Sequence, residues 1–182
     1  TEAKLNELKE KLQEAQFAEL KDGRGKLLIF TEHRDTLNYL KENLEKWGYT
    51  TCEIHGGMNP LARKQAQRDF QLNRQICLAT EAAGEGINLQ FCRLMINYDI
   101  PWNPNRLEQR MGRIHRIGQT HDVYIFNFVA INTVEGRVLE KLLTKLEEIR
   151  TAMGDRVFDV VGQLLQLNDI RFEDVVKEAT YS

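Results

Sequence analysis

Long apolar runs are missing from this chain. No stretch approaches the length needed to cross a membrane, and no signal-peptide pattern is present. Cysteine is scarce. Cys52, Cys77 and Cys92 are odd in number, widely spaced and set in apolar or strand-like surroundings. Their spacing offers no disulfide framework and no metal-ligand pattern, so small buried core residues in a reducing compartment are expected. An excess of positive charge is also lacking: 25 Lys and Arg stand against 27 Asp and Glu. A protein living on generic nucleic-acid affinity is usually basic overall. Any nucleic-acid contact here must therefore be local, and by itself weak at physiological salt. Internal repeats and low-complexity stretches are absent as well.

What is present is a soluble-protein composition. The chain has 182 residues, 42% hydrophobic and 29% charged, enough for one domain with an appendage or two small ones. Residues 2–20 read as an amphipathic helix, with Leu5, Leu8, Leu12 and Ala15 at helical spacing. The chain opens deep in that helical character, as expected of the cut edge of a longer protein. Its apolar spacing leaves open whether this helix packs on the rest of the chain. Gly23 and Gly25 then break the pattern. Short apolar strands alternate with helices from there: "KLLIF", a helix ended by Gly48, "YTTCEI", a helix with Asn59 as cap and Pro60 first, "QICLAT", "RLMINYD", a helix from Asn103-Pro104, and "DVYIFNFVA". Such alternation predicts an α/β fold, a mostly parallel sheet flanked by helices, with ligands at the carboxyl ends of its strands. From about Thr133 a long helix and two shorter ones are expected as an appended element. The expected divisions are 1–22 as a linker helix, 23–132 as the α/β lobe and 133–182 as a helical extension.

Four segments near those carboxyl ends carry chemistry. In "NRLEQRMGRIHRIGQ", Arg106, Arg110, Arg113 and Arg116 form one helical stripe, and Leu107, Met111, Ile114 and Ile117 form another. The apolar stripe is expected to pack on the sheet and the arginine stripe to face a cleft. Like charges at this spacing repel, so an anion should stand opposite; the plain alternative is a solvated face paired with Glu81 or Glu108. In "ATEAAGEGINLQ", Gly84 and Gly86 bracket Glu85 just past a strand, and Thr80 has a hydroxyl in reach of a phosphate. A carboxylate there suits ribose hydroxyls, although a glycine-rich turn is often only a turn. "HGGMNPLARKQAQRDF" brings Arg63, Lys64 and Arg68 to the start of a helix, where backbone N–H groups can hold phosphate. It also serves as an ordinary connection. "IFTEHRD" places Thr31, His33 and Arg34 after the first strand; His33 reads as a surface histidine. His55 either touches nucleic acid or packs on its turn, and His115 reads as structural.

The run "INYDIPWNPNRLEQRMGRIHRIGQ", with "ATEAAGEGINLQ" before it, resembles the second RecA-like lobe of superfamily II helicases. More narrowly it is similar to Swi/Snf-type double-stranded DNA translocases, nearest the prokaryotic RapA-like group. The resemblance covers roughly Lys26 to Ala130, and the tail is similar to the brace that follows such lobes. It implies that Arg113 and Arg116 reach across an interlobe cleft to ATP phosphates, with Gln109 ordering the cleft. It places Gly84, Glu85 and Gly86 near the nucleotide. Thr31, Arg34, His55, Gly56, Arg63 and Thr80 fall in segments that face the nucleic-acid backbone in relatives. The chain departs from the pattern at Ala83, where relatives have glycine, and at Glu85, often apolar in them. The implied cofactors are ATP and Mg²⁺. The implied partners are an N-terminal RecA-like lobe, duplex DNA and a complex such as RNA polymerase, in a prokaryotic cytoplasm. A phosphate loop of the form G-x-x-x-x-G-K-[ST] is missing, as is the acidic pair that serves magnesium and the attacking water. The chain alone is therefore expected not to hydrolyse ATP. A free-standing nucleic-acid or partner-binding module and the lobe of an RNA helicase are the rival readings.

Overall fold

The computed structural model describes residues 2–80, 88–99, 110 and 124–128, and the backbone alone at 125 and 127. The expected helices of 133–182 lie outside them. Five parallel strands, β1 (Leu27–Thr31), β2 (Thr51–Ile54), β3 (Ile76–Thr80), β4 (Leu94–Asn97) and β5 (Tyr124–Asn127), form one sheet in the order β2-β3-β1-β4-β5. Every residue of β1, β3 and β4 is buried, as their unbroken apolar runs require.

The connection from β1 to β2 runs through helix α2 (Arg34–Lys46) and skips a strand; that from β2 to β3 runs back through α3 (Pro60–Asn73). Right-handed crossovers in opposite directions put the two helices on opposite faces. α2 ends where Gly48 takes φ +93°, a conformation costly for any residue with a Cβ. α3 starts as its sequence dictates: the Asn59 side chain accepts a hydrogen bond from the Ala62 N–H at 2.8 Å, and Pro60 follows as the first helical residue.

The amphipathic start does not form one helix. α1 covers Glu2–Lys11, and a 3-10 turn occupies Ala15–Leu20. Both pack on the α2 face of the sheet. Leu5, Leu8, Leu12, Phe17 and Leu20 share a single core with Leu37, Leu40 and Leu44 of α2 and with Leu27, Ile29, Ile76, Leu78, Leu94, Ile96 and Phe126. The Phe17 and Phe126 rings lie 5.2 Å apart, and the Lys11 ammonium sits 4.8 Å from the Phe126 ring centre while pairing with Glu14. On the other face, Phe70 of α3 meets Phe91 edge-on at 5.3 Å. The three cysteines are buried and free, and burial pushes the Cys92 thiol up to about 12.

This packing sets two stability outcomes. Leu8 is fully buried, so Leu8→Ala should cost about 2–5 kcal/mol in urea unfolding. A helix merely adjoining the lobe would cost almost nothing. Tyr98 is buried with a hydroxyl that has no hydrogen-bond partner among the described residues, and burial raises its pKa. Tyr98→Phe should leave stability unchanged or raise it by about 1 kcal/mol, read from the same transition.

Candidate functional site

All five strands point the same way, so their carboxyl ends meet along one edge. That edge holds the chemistry. Thr31 and Thr80 end β1 and β3 as register partners. His55, Gly56 and Gly57 follow β2, and Tyr98 and Asp99 follow β4.

At the β2 end the Gly56-Gly57 turn gathers cationic side chains. A Cβ on Gly57 would stand 2.8 Å from Nη1 of Arg34 and 3.2 Å from the His55 ring, so only glycine admits them there without a shift. Nη2 of Arg63 donates to the Gly56 carbonyl at 3.4 Å. Two guanidinium groups from different helices thus flank one turn. His55 is buried, and its Nδ1 accepts the Gly57 N–H at 3.1 Å. The neutral ring therefore carries its proton on Nε2, 3.8 Å from Glu53. Desolvation first, and then Arg34, hold its pKa below the ordinary 6.5, against an upward pull from Glu53 and with a lesser downward one from Arg63. His55 is thus uncharged beside two permanent cations.

At the β4 end a carboxylate gathers the donors. Asp99 accepts the Thr31 hydroxyl, the Glu32 N–H at 2.9 and 3.1 Å, and Nη2 of Arg110 at 3.2 Å. Nη1 of Arg110 donates to the Asp99 carbonyl at 2.6 Å and to Asn97 Oδ1 at 3.1 Å. The guanidinium carbon lies 5.3 Å from the Phe30 ring centre, and Phe30 is the register partner of Asn97. Arg110 is 2% exposed. The expectation that Arg110 faces a cleft with the rest of its stripe is corrected: it is plugged into the ends of β1 and β4. Its charge would be costly to bury without this set of acceptors.

The Thr31 side chain is fully buried, and its hydroxyl donates to Asp99. Thr80 is buried beside it, while Arg34 and Gly56 are exposed and Arg63 half-buried. His33 is exposed. Gly84, Glu85, Gly86, Gln109, Arg113 and Arg116 lie outside the described residues. Sequence reasoning missed Asn97 and Asp99. A lone Asn inside the otherwise apolar strand "LMIN" was the available signal, since a buried amide needs a partner. Among the described residues, no group of three His, Cys, Asp or Glu stands ready for a metal, and no helix is long and apolar enough to cross a membrane.

Comparison with known proteins bears on the whole arrangement. The sequence model of the helicase conserved C-terminal domain matches residues 3–118. An uncharacterised ATP-dependent helicase of Bacillus subtilis, YqhH, is 43% identical over 157 residues, 86% of this chain and 27% of that protein. The helicase SWR1 of Candida glabrata is 34% identical over 163 residues, 87% of this chain and 11% of that protein. The chain thus spans about a quarter or less of the curated relatives it matches. The solved C-terminal part of the Fun30 ATPase domain superposes with a TM-score of 0.67 at 26% identity, covering 75% of this chain and 44% of that one.

The depressed His55 pKa has a measurable sign. The unfolded chain takes up a proton near the ordinary 6.5, whereas the folded one takes it up only at lower pH. The stability held above that value should therefore fall as pH drops through the window beneath it. His55→Gln should flatten this part of the profile, read from urea midpoints at about pH 7 and about pH 5. An unchanged slope would mean that the ring titrates as it does in the unfolded chain.

Proposed function

This chain belongs to the helicase conserved C-terminal domain family and is of its Swi/Snf type, and we propose that it serves as the second lobe of an ATP-dependent translocase on duplex DNA. The observation that carries the proposal is the Gly56-Gly57 turn with Arg34 and Arg63 beside it at the carboxyl edge of the sheet. Two like charges held close favour an anion between them, and a backbone phosphate answers that need without reading sequence. The neutral His55 packs beneath the turn and adds no charge. Thr80 and the exposed Gly56 continue the same edge. Thr31 supports it from inside.

ATP would be held mainly by an N-terminal lobe, with Mg²⁺ accompanying it, and would supply the phosphoryl group. This chain's contribution to that cleft is Arg113 and Arg116, with Gln109 ordering them and Gly84, Glu85 and Gly86 lining the nucleotide side. Guanidinium groups aimed at a developing phosphoryl charge stabilise it, and Lys lacks their bidentate fork. Lacking a phosphate loop, the chain alone should not turn over ATP. A prokaryotic cytoplasm and a complex such as RNA polymerase are the setting this reading suggests.

Steady-state ATP turnover by the two-lobed protein, with duplex DNA, single-stranded DNA or RNA added, tests the reading. Duplex DNA should stimulate it, and Arg113→Ala or Arg116→Ala should lower kcat by about 10³ to 10⁵. Stimulation by RNA alone would make this the lobe of an RNA helicase. No turnover with any of the three would leave a binding module. Separately, Arg34→Ala or Arg63→Ala should weaken duplex binding and reduce the slope of log K against log salt by about one.

A further inference from the structure

We infer that Asp99 is a positioning residue that ties the end of β1 to Arg110 and so fixes where the following arginines stand; this rests on the function proposed above. Donors from two separate segments meet at its carboxylate. The Thr31 hydroxyl and the Glu32 N–H come from the segment that leads directly into Arg34 at the start of α2. The Arg110 guanidinium comes from the segment that carries Arg113 and Arg116. The Asp99 carbonyl and Asn97 also accept from Arg110. Arg110 is thereby held by acceptors at the end of β4 and lies against the Phe30 ring of β1, its orientation fixed by a planar fork rather than by a point charge.

The consequence is one of reach. Arg113 comes three residues after Arg110, so its backbone lies within about 11 Å of a fixed point. Through the tie, a shift of the β1 end is felt at both the Arg34 side and the arginine side. Asp99 spends its carboxylate on Thr31, Glu32 and Arg110, and acts through them. Misplacement of a reacting group by about 1 Å costs on the order of a hundredfold in rate, so loosening the tie should appear in kcat and leave binding intact.

The test uses the two-lobed protein with duplex DNA. Asp99→Asn should lower DNA-stimulated kcat by about tenfold to a hundredfold. The Kd for duplex and the KM for ATP should stay close to the parent values, measured at a temperature where the variant is fully folded, because removing the charge opposite the buried Arg110 lowers the thermal midpoint. Thr31→Val, which removes only the hydroxyl, should give a smaller fall in the same direction. Arg110→Lys should resemble Asp99→Asn, and the double variant should be no worse than either single one. A purely structural role would instead leave kcat per folded molecule at the parent value, with activity scaling only with the folded fraction. Unchanged kcat in Asp99→Asn, in a protein that Arg113→Ala inactivates, overturns the inference and leaves the proposed function standing. Full activity of Arg113→Ala overturns the proposed function first. Should Asp99→Asn fail to fold, Thr31→Val decides: parent-like kcat overturns the tie.

Discussion

The Asp99 carboxylate is the interaction on which the carboxyl edge depends. β1 and β4 pair side by side through Phe30 and Asn97, and there their ladder stops. The next donor, the Glu32 N–H, has no strand to pair with and finds the carboxylate instead. So does the Thr31 hydroxyl. Together they make a local concentration of donors around one carboxylate, and Arg110 completes it. Each partner alone would be a burial penalty: an acid with too few donors, a guanidinium out of water, a hydroxyl and an amide in an apolar sheet. Collected, they satisfy one another, and the low dielectric that makes an orphan costly strengthens the set.

The edge therefore divides into two chemically distinct parts. On the β4 side the charges are matched and internal, which gives rigidity. On the β2 side Arg34 and Arg63 both reach one glycine turn whose own histidine, His55, is held neutral. A matched, internal region next to a cationic turn suits the backbone-gripping role proposed for this edge. An overall charge of -2 is compatible with this, because a local pair of cations does not require a basic chain.

The strands were legible because both faces of the sheet are covered, which turns each into an unbroken apolar run such as "LLIF" or "ICLA". Asn59-Pro60 and Gly48 marked their helix boundaries through backbone rules that act locally. The first segment reads as one helix because its apolar spacing is helical throughout. The chain breaks after Lys11 so that Phe17 and Leu20 can turn inward onto the sheet, a tertiary demand that overrides the periodicity. The basic turn after β2 was visible as residue types, but not the reason for Gly57, which is the closeness of Arg34 and His55. Arg110 was misplaced for an instructive reason. Helical spacing groups it with Arg113 and Arg116, yet a stripe of like residues need not share one partner. The acceptor that claims Arg110 lies eleven residues earlier, on another element.

The contact between Phe17 and Phe126 joins parts of the chain more than a hundred residues apart. Local pairings such as β2 with β3 close short loops and can form early. The seat of the first helix is completed only when the last strand of the sheet is in place. During synthesis, Leu5, Leu8 and Phe17 leave the ribosome about a hundred residues before β5, an apolar flank that must be kept from other chains until β5 arrives.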